Sequence, residues 1–263
     1  RLPKRADLAI DLMAMEKALN DDISLIHVTN PNNPTGSSLE SAALKNFCSK
    51  ASAKTLVLVD EAYNELTDNP DQSTMIPLVK EGKDVAVART FSKIFGLYRE
   101  RIGAMTLVAG TPEHATAALS QIKIAIRTSY SNPPAHGGQL VSTILLDPAR
   151  AAQWRDELAV MRDRIQGMRG GLADALQAAG ARGDFEFLRE QRGMFSLLGL
   201  SREQVETLRS EHAVYLVGSG RINVAGLFPA NLDLVARAIV AHRAAPCASG
   251  GAASLEPPTQ RMP

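Results

Sequence analysis

Four short apolar runs in the first half of the chain restrict its fold more than any other feature. They are SLIHVTN (24–30), TLVLVDEAY (55–63), VAVARTFS (85–92) and GAMTLVAG (103–110). Each is rich in Val, Leu, Ile or other apolar residues at consecutive positions rather than at every second one. That pattern suits strands buried on both faces, as in a parallel sheet covered by helices. Between the first two lies SLESAALKNFCSKA (38–51), which reads as a helix with Ser38 as its expected cap. The fold class is therefore α/β.

The chain has 263 residues, 45% of them hydrophobic, enough for a large core in one or two domains. Its formal net charge of +1 gives no electrostatic reason to expect nucleic acid or an anionic membrane as a partner. Cys48 and Cys247 show neither metal-ligand spacing nor a disulfide framework, which fits a reducing cytoplasm. No apolar run approaches the roughly 20 residues needed to span a bilayer. The opening residues carry no signal-peptide pattern. The first residue is Arg1 rather than Met, so the expectation is a piece of a longer protein.

A long helix is expected from Asp147, which can cap it, with Pro148 in its first turn. Trp154, Leu158, Met161, Ile165, Met168, Leu172 and Leu176 recur at steps of three or four, and Gly180 is a natural stop. Gly170 and Gly171 mark a bend midway. Such a helix links two domains in this reading: a large unit over 1–155 and a smaller α+β unit over 156–244. In the second unit DFEFLRE (184–190), GMFSLLGL (193–200) and AVYLVGSGRINVAG (213–226) read as strands. The Gly/Ala/Pro/Ser-rich tail, 245–263, is expected to be disordered.

Several strings carry chemistry. NPNNPTG (30–36) is a rigid, non-helical turn after a strand, and in open α/β sheets ligands gather at such ends. Its Asn33 amide is a candidate contact beside the plain reading of an ordinary loop. In VLVDEAY, Asp60 and Glu61 follow a buried strand. They read as a Walker B element, as a carboxylate that pairs with a ligand cation, or as a helix-capping Asp. The first lacks any G-x-x-x-x-G-K-[ST] phosphate cradle. GSGRIN (218–223) has Asn223 where a dinucleotide fingerprint needs its last glycine. His27, His114, His136, His212 and His242 form no local ligand pair and read as structural or exposed. No G-x-S-x-G is present, so a serine hydrolase of the α/β type has no support.

ARTFSKIFGLYRERIG (88–103) sets Lys93 among small, hydroxylated and apolar residues, with Arg101 beyond it. Thr90, Ser92 and Arg101 suit a bound phosphate. Lys93 is then free for covalent chemistry with an aldehyde. With an Asp to pair a pyridinium nitrogen, this is the layout of a pyridoxal phosphate site.

In order, NPNNPTG, VDEAY, RTFSKIFGL, RERIG, SNPPAHGG and GSGRINVAG resemble the fold-type I pyridoxal phosphate-dependent aminotransferases of class I/II. The resemblance covers nearly the whole chain except the tail. It implies a large domain with a mostly parallel sheet that binds the cofactor, and a smaller C-terminal domain. It implies that Lys93 bonds the cofactor aldehyde and Asp60 pairs its ring nitrogen. Asn33 and Tyr63 match the residues that hydrogen-bond its phenolic oxygen. Thr90 (where Ser is more usual), Ser92 and Arg101 match the phosphate-binding positions. Arg221 matches the arginine for the substrate α-carboxylate. Arg127 matches one that reaches, from a neighbouring subunit, the distal carboxylate of a dicarboxylic substrate. No metal is implied.

The chain before Lys93 resembles the histidinol-phosphate aminotransferase branch; from YRERIGAMTLVA onward it resembles the aspartate/aromatic branch, with the change near Gly96–Tyr98. The implied activity is transamination between aspartate or an aromatic amino acid and a 2-oxo acid such as 2-oxoglutarate, by a cytoplasmic homodimer. Alternatives are a ligand-sensing domain of a transcription regulator, histidinol-phosphate aminotransferase-type activity, or an inactive fragment. The resemblance also implies an N-terminal region ahead of the first motif, and the expectation is that residues 1–263 do not include it. The expectation is that residues 1–263 alone bind the cofactor weakly and transaminate poorly.

Overall fold

A computed structural model describes residues 9–243. The tail expected to be disordered, with Cys247, lies outside the described residues. The short helix α1 (Leu12–Lys17) precedes strand β1 (Leu25–Thr29), and helix α2 (Ser41–Ala51) follows it. Strand β2 (Leu56–Asp60) comes next, then the short helices α3 (Pro70–Ser73) and α4 (Ile76–Lys80), then β3 (Val85–Thr90) and β4 (Gly103–Thr106). The four strands make one sheet in the order β1-β2-β3-β4. β1, β2 and β3 are parallel, with Leu25 opposite Leu56 and Val57 opposite Val85. All four apolar runs are strands, and the sheet is mostly parallel, as the sequence suggests.

Three details differ from the sequence reading. β4 runs antiparallel to β3 and all four of its residues are exposed, so it is an edge strand and not a buried one. β1 alternates exposed and buried positions. Val28, Val57, Val59, Val85 and Val87 pack against Leu44, Phe47 and Cys48 of α2 and Leu78 and Val79 of α4. The opposite face leaves Leu25 51% and Leu56 44% exposed, although Ala86 of β3 is buried there, so among the described residues that face is only partly covered. The cap of α2 is Glu40, not Ser38: its carboxylate accepts from the amides of Ala42 and Ala43. Those two hydrogen bonds hold its pKa below the ordinary glutamate value. The longer side chain does from the N-cap position what a serine two residues earlier cannot reach.

The second half contains helices α5 (Pro112–Tyr130), α6 (His136–Leu145), α7 (Pro148–Ala178) and α8 (Phe187–Glu190). Strand β5 (Phe195–Leu197), helix α9 (Arg202–His212), strand β6 (Arg221–Asn223) and helix α10 (Leu232–His242) complete it. β5 and β6 form a separate antiparallel pair with Ser196 opposite Ile222. DFEFLRE is not a strand. Asp184 accepts from the amide of Glu186 and the chain turns into α8, the kind of local side-chain bond that competes with a sheet ladder. Among the described residues no helix is long and apolar enough to cross a membrane.

The long helix α7 begins and ends as its sequence dictates. Asp147 accepts from the amides of Ala149 and Arg150, and Pro148 occupies the first turn. At the far end Ala181 N–H bonds Leu176 O and Gly180 N–H bonds Gln177 O, with Gly180 at φ +79. That pairing closes the helix with a left-handed residue that glycine adopts without strain. Leu158, Ile165, Leu172 and Leu176 are buried, and full burial of such a side chain contributes roughly 1.5–3 kcal/mol. The helix continues through Gly170 and Gly171. A Cβ there would meet Arg189 at 2.9 Å and Leu232 at 2.7 Å, so these glycines serve close approach.

Arg169 sits within the apolar stripe of α7 and is fully buried. Its guanidinium donates to Ser196 Oγ (2.6 Å), Gly193 O (2.8 Å) and Phe195 O (3.0 Å). Ser196 in turn donates to Gln191 Oε1. Burial, with Arg192 nearby, pushes the Arg169 pKa down to about 10. Backbone dipoles, rather than a carboxylate, offset its charge. This one side chain therefore fixes the backbone of residues 193–195. Arg169→Ala leaves buried acceptors unpaired and is expected to cost about 3 kcal/mol or more, read as a lowered urea midpoint. Arg169→Lys, which keeps the charge but loses the planar fork, is expected to fall between Ala and the parent.

Candidate active site

The C-terminal ends of β1, β2 and β3 lie side by side, with Thr29 opposite Asp60 and Asp60 opposite Ala88. The residues that follow each strand build the site. After β1, buried Asn30 accepts from Leu39 N–H through its side chain. Asn32 N–H bonds Ser37 O, Gly36 N–H bonds Asn32 O, and Thr35 Oγ1 donates to Asn32 Oδ1. The peptide bonds Asn30–Pro31 and Asn33–Pro34 are cis. This lattice of bonds leaves the Asn33 side chain exposed and projecting. Its Oδ1 accepts from Arg221 Nη1 at 3.3 Å. Gly36 has φ +74, and a Cβ there would collide with the carbonyl oxygen of Phe195. The loop reaches β5 only because this position is glycine.

After β2, Asp60 and Glu61 part company. Glu61 is 1% exposed and turned to structural work. It accepts from Thr74 Oγ1, Met75 N–H and Arg89 Nη2. Asp60 is half-buried, and its Oδ1 accepts from Ala62 N–H at 2.9 Å. Its other oxygen has no hydrogen bond among the described residues. Asp60 thus holds the turn after β2 rather than capping a helix as the plain reading expected, since the helical turn that follows has Tyr63 at its N-cap position.

That turn delivers Tyr63, 4% exposed, into the core formed by α7, α9 and α10. Its ring meets Phe195 edge-on at 6.0 Å. Gly193 packs against it so closely that a Cβ would lie 3.3 Å from the Tyr63 side chain. Burial pushes the phenol pKa up to about 12, against the opposing pull of Arg221.

After β3 the chain turns tightly. Thr90 Oγ1 donates to Ser92 Oγ (3.0 Å) and Ser92 N–H donates back to Thr90 Oγ1 (3.2 Å). Phe95 stacks on Trp154 with centroids 4.8 Å apart, and the indole N–H donates to Ile94 O at 2.9 Å. Helix α7 thereby clamps the two residues that follow Lys93. The Lys93 ammonium stands 5.5 Å from the Tyr63 ring centre and 5.9 Å from that of Tyr98. It is half-buried and has no ion pair or hydrogen bond among the described residues. A cleft of about 180 Å³ opens beside it, lined in part by Tyr98, Met161, Arg164 and Met194. Met161, expected in the core stripe of α7, is 45% exposed because it faces this cleft.

Lys93, Tyr63, Asp60, Asn33 and Arg221 are brought to one place. Thr90 and Ser92 sit on the same turn as Lys93. Arg101 is exposed at the end of that segment, in the left-handed region, with its Nη1 on Tyr98 O. Arg127 is not part of the cluster. It lies on α5, which buries none of its residues, and donates to Ser131 Oγ. Sequence reasoning missed Tyr98 and Phe195. Tyr98 stands inside the quoted motif but had no assigned role. Phe195 lies under the Arg221 guanidinium at 4.3 Å, a contact across the β5–β6 pair that no local spacing reveals.

Chemically, the residues gathered around Lys93 offer an amine with no acceptor among the described residues, a carboxylate oxygen, a neutral phenol, an amide, paired hydroxyls and an arginine. The family model for aminotransferase class I and II proteins matches residues 1–239. The chain is 54% identical to aspartate aminotransferase of Escherichia coli over 159 residues, 60% of this chain and 40% of that one. It is 39% identical to an aromatic-amino-acid aminotransferase of Pseudomonas aeruginosa over 238 residues, 89% of this chain and 59% of that one. Among solved structures, an aromatic-amino-acid aminotransferase from Burkholderia pseudomallei covalently bound to pyridoxal phosphate superposes with a TM-score of 0.80 at 39% identity. That match covers 88% of this chain and 60% of the other. The chain spans from 40% to 60% of the length of these relatives.

The Tyr63 environment has a direct readout. One phenol is expected to ionise only near pH 12, and Tyr63→Phe should remove that step from an alkaline absorbance titration. The folded pKa lies above the ordinary tyrosine value of about 10. Burying the neutral phenol therefore stabilises the fold fully below about pH 10, and the contribution is lost as pH rises toward 12.

Proposed function

This chain belongs to the aminotransferase class I and II family, and we propose that its Lys93 cleft serves pyridoxal phosphate-dependent transamination. The substrates in this reading are aspartate or an aromatic amino acid and a 2-oxo acid such as 2-oxoglutarate. The observation that carries it is the Lys93 amine, held between two phenol rings at a strand end with no acceptor of its own. The names of the similar proteins support it: an aspartate aminotransferase, an aromatic one, and one bound covalently to pyridoxal phosphate.

The donor set fits that cofactor. An aldehyde requires an amine not committed to a carboxylate, and Lys93 meets this. A protonated ring nitrogen requires a carboxylate oxygen, and Asp60 has one free. A ring phenolic oxygen requires donors, which the Tyr63 phenol and the Asn33 amide provide. A phosphate requires hydroxyls and a guanidinium, which Thr90, Ser92 and Arg101 provide. When bound, pyridoxal phosphate supplies an aldehyde that bonds an amine and a ring that accepts the electron pair left when the substrate α-proton departs.

The chain's own residues do the rest. Lys93 Nζ would take the proton from the substrate α-carbon and return one on the way to product. Asp60 holds the positive charge at the ring nitrogen. Tyr63 stays protonated through the neutral range and so remains a donor. Arg221 grips the α-carboxylate by two parallel hydrogen bonds, its face supported by Phe195. Arg127 serves the distal carboxylate of a dicarboxylic substrate in a neighbouring copy, which makes the working form a homodimer. In this reading residues 1–155 are the cofactor-binding domain, 156–244 the small domain, and the protein works in the cytoplasm.

The deciding experiment is borohydride reduction of the full-length protein mixed with pyridoxal phosphate, followed by peptide mapping. One label is expected, on Lys93, and none in Lys93→Ala; a label on another lysine refutes the assignment. Asp60→Asn should retain cofactor yet exchange the α-proton far more slowly, at tenfold for roughly each 1.36 kcal/mol lost.

The two arginines are separable by steady-state kinetics. Arg221→Lys gives up about 1.5–3 kcal/mol of charged hydrogen bonding, so kcat/KM should drop about tenfold to a hundredfold for every amino acid. Arg127→Ala should penalise aspartate and glutamate well beyond phenylalanine. Equal losses for both classes count against its contact with a distal carboxylate.

A further inference from the structure

Five histidines scattered through the sequence read as structural or exposed, but the fold brings two of them together. α9 ends at His212 and α10 ends at His242. Their Nε2 atoms stand 2.8 Å apart, and Glu211 Oε2 lies 3.7 Å from His242 Nε2. The three ligand atoms fall within 4.8 Å of one another. Neither this trio nor its surroundings belong to the Lys93 cleft. We infer that Glu211, His212 and His242 form a binding site for a divalent first-row transition cation of the zinc type, bridging the C-terminal ends of α9 and α10.

The geometry is close to what such an ion needs. Two ligands about 2.0–2.1 Å from a tetrahedral centre are roughly 3.3 Å apart. The His–His separation is shorter than this and the His–Glu separation longer, each by about half an ångström. The third separation, Glu211 to His212, is bounded only by 4.8 Å, so Glu211, its side chain 61% exposed against 26% for His242, has to swing inward to complete the set. Two imidazole nitrogens facing each other share one proton, because one must donate for the other to accept. A cation replaces that proton and binds both lone pairs. Three protein ligands leave a fourth position for water, and imidazole with carboxylate suits Zn²⁺, Cu²⁺ or Ni²⁺ far better than Mg²⁺.

The location independently favours positive charge. Both helices have 11 residues. His212 is the last residue of α9 and His242 the last of α10, and a cation is favoured near the negative, C-terminal end of a helix. The frame is also fixed: Gln204 Nε2 donates to His242 O at 2.7 Å, tying the start of α9 to the end of α10. Of the neighbouring cations, Arg209 pairs with Glu206, while Arg243 lies over the Phe185 ring with its buried Nη1 unpartnered among the described residues. The ion would lock α9 to α10 and so brace the layer beneath the β5–β6 pair that carries Arg221.

The test is metal titration of the full-length protein, loaded with cofactor and freed of excess. Zn²⁺ calorimetry on the parent should give one ion per chain, and Co²⁺ should give the visible bands of a four-coordinate nitrogen and oxygen site. His212→Gln and His242→Gln should each weaken binding at least as much as the roughly 10- to 100-fold that outer partners of metal ligands carry. Glu211→Gln, at an exposed position where folding is not at risk, should weaken it by a smaller factor, and excess Mg²⁺ should not compete. Parent and His212→Gln/His242→Gln protein that bind Zn²⁺ with the same affinity and stoichiometry overturn the site. So does a parent protein that takes up no ion, or a Glu211→Gln protein whose affinity and Co²⁺ spectrum are unchanged.

Discussion

The Tyr63 ring packs edge-on to Phe195, beneath the ammonium of Lys93, with Gly193 pressed against its side. It comes from the turn after β2 yet is buried in a core made by α7, α9 and α10. Burial of that ring draws the strand ends of the main sheet onto the β5–β6 pair. A fully buried aromatic side chain contributes on the order of 1.5–3 kcal/mol, and here the same contact aligns Asp60, Lys93 and Arg221. Two further contacts cross the same seam: the Gly36 approach to Phe195 and the Arg221 bond to Asn33. Arg169 supports it from below by fixing the backbone of residues 193–195. The site is thus a property of the seam, not of either set of strands alone.

Much of this was legible in the sequence where the physics is local. The four strands follow from their apolar runs. The limits of α7 follow from Asp147, Pro148 and Gly180, because capping is decided within a turn of chain. Lys93 and Asp60 stood out for the same reason: their motifs are short strings at strand ends. What escaped is contact across sequence distance. Phe195 under Arg221, Trp154 on Phe95 and the pairing of His212 with His242 join residues far apart in the chain. Arg169 looked like one more charge on a helix, and only its neighbours make it a buried anchor. DFEFLRE misled because alternation of apolar residues cannot register a side-chain bond from Asp184 that starts a turn.

The sheet itself shows how composition and contact can diverge. Consecutive Val and Leu predict strands covered on both faces, which holds for Val85, Ala86 and Val87 of β3, while β1 and the start of β2 are packed only on the α2 and α4 side. Leu25, Leu56 and Met105 are about half exposed. Apolar residues on that second face contribute nothing to stability while wet, since the gain comes from area removed from water. β4 and α5 share the condition: the strand is exposed throughout and the helix buries none of its residues.

Trp154 is the only tryptophan in the chain. It lies stacked on Phe95 with its indole N–H on the carbonyl of Ile94, the residue after Lys93. The chain thus carries a single indole, bolted to the turn that bears its reactive amine. Its emission is a native optical gauge of that turn, sensitive to the polarity and order around Lys93, with no second indole to blur the signal.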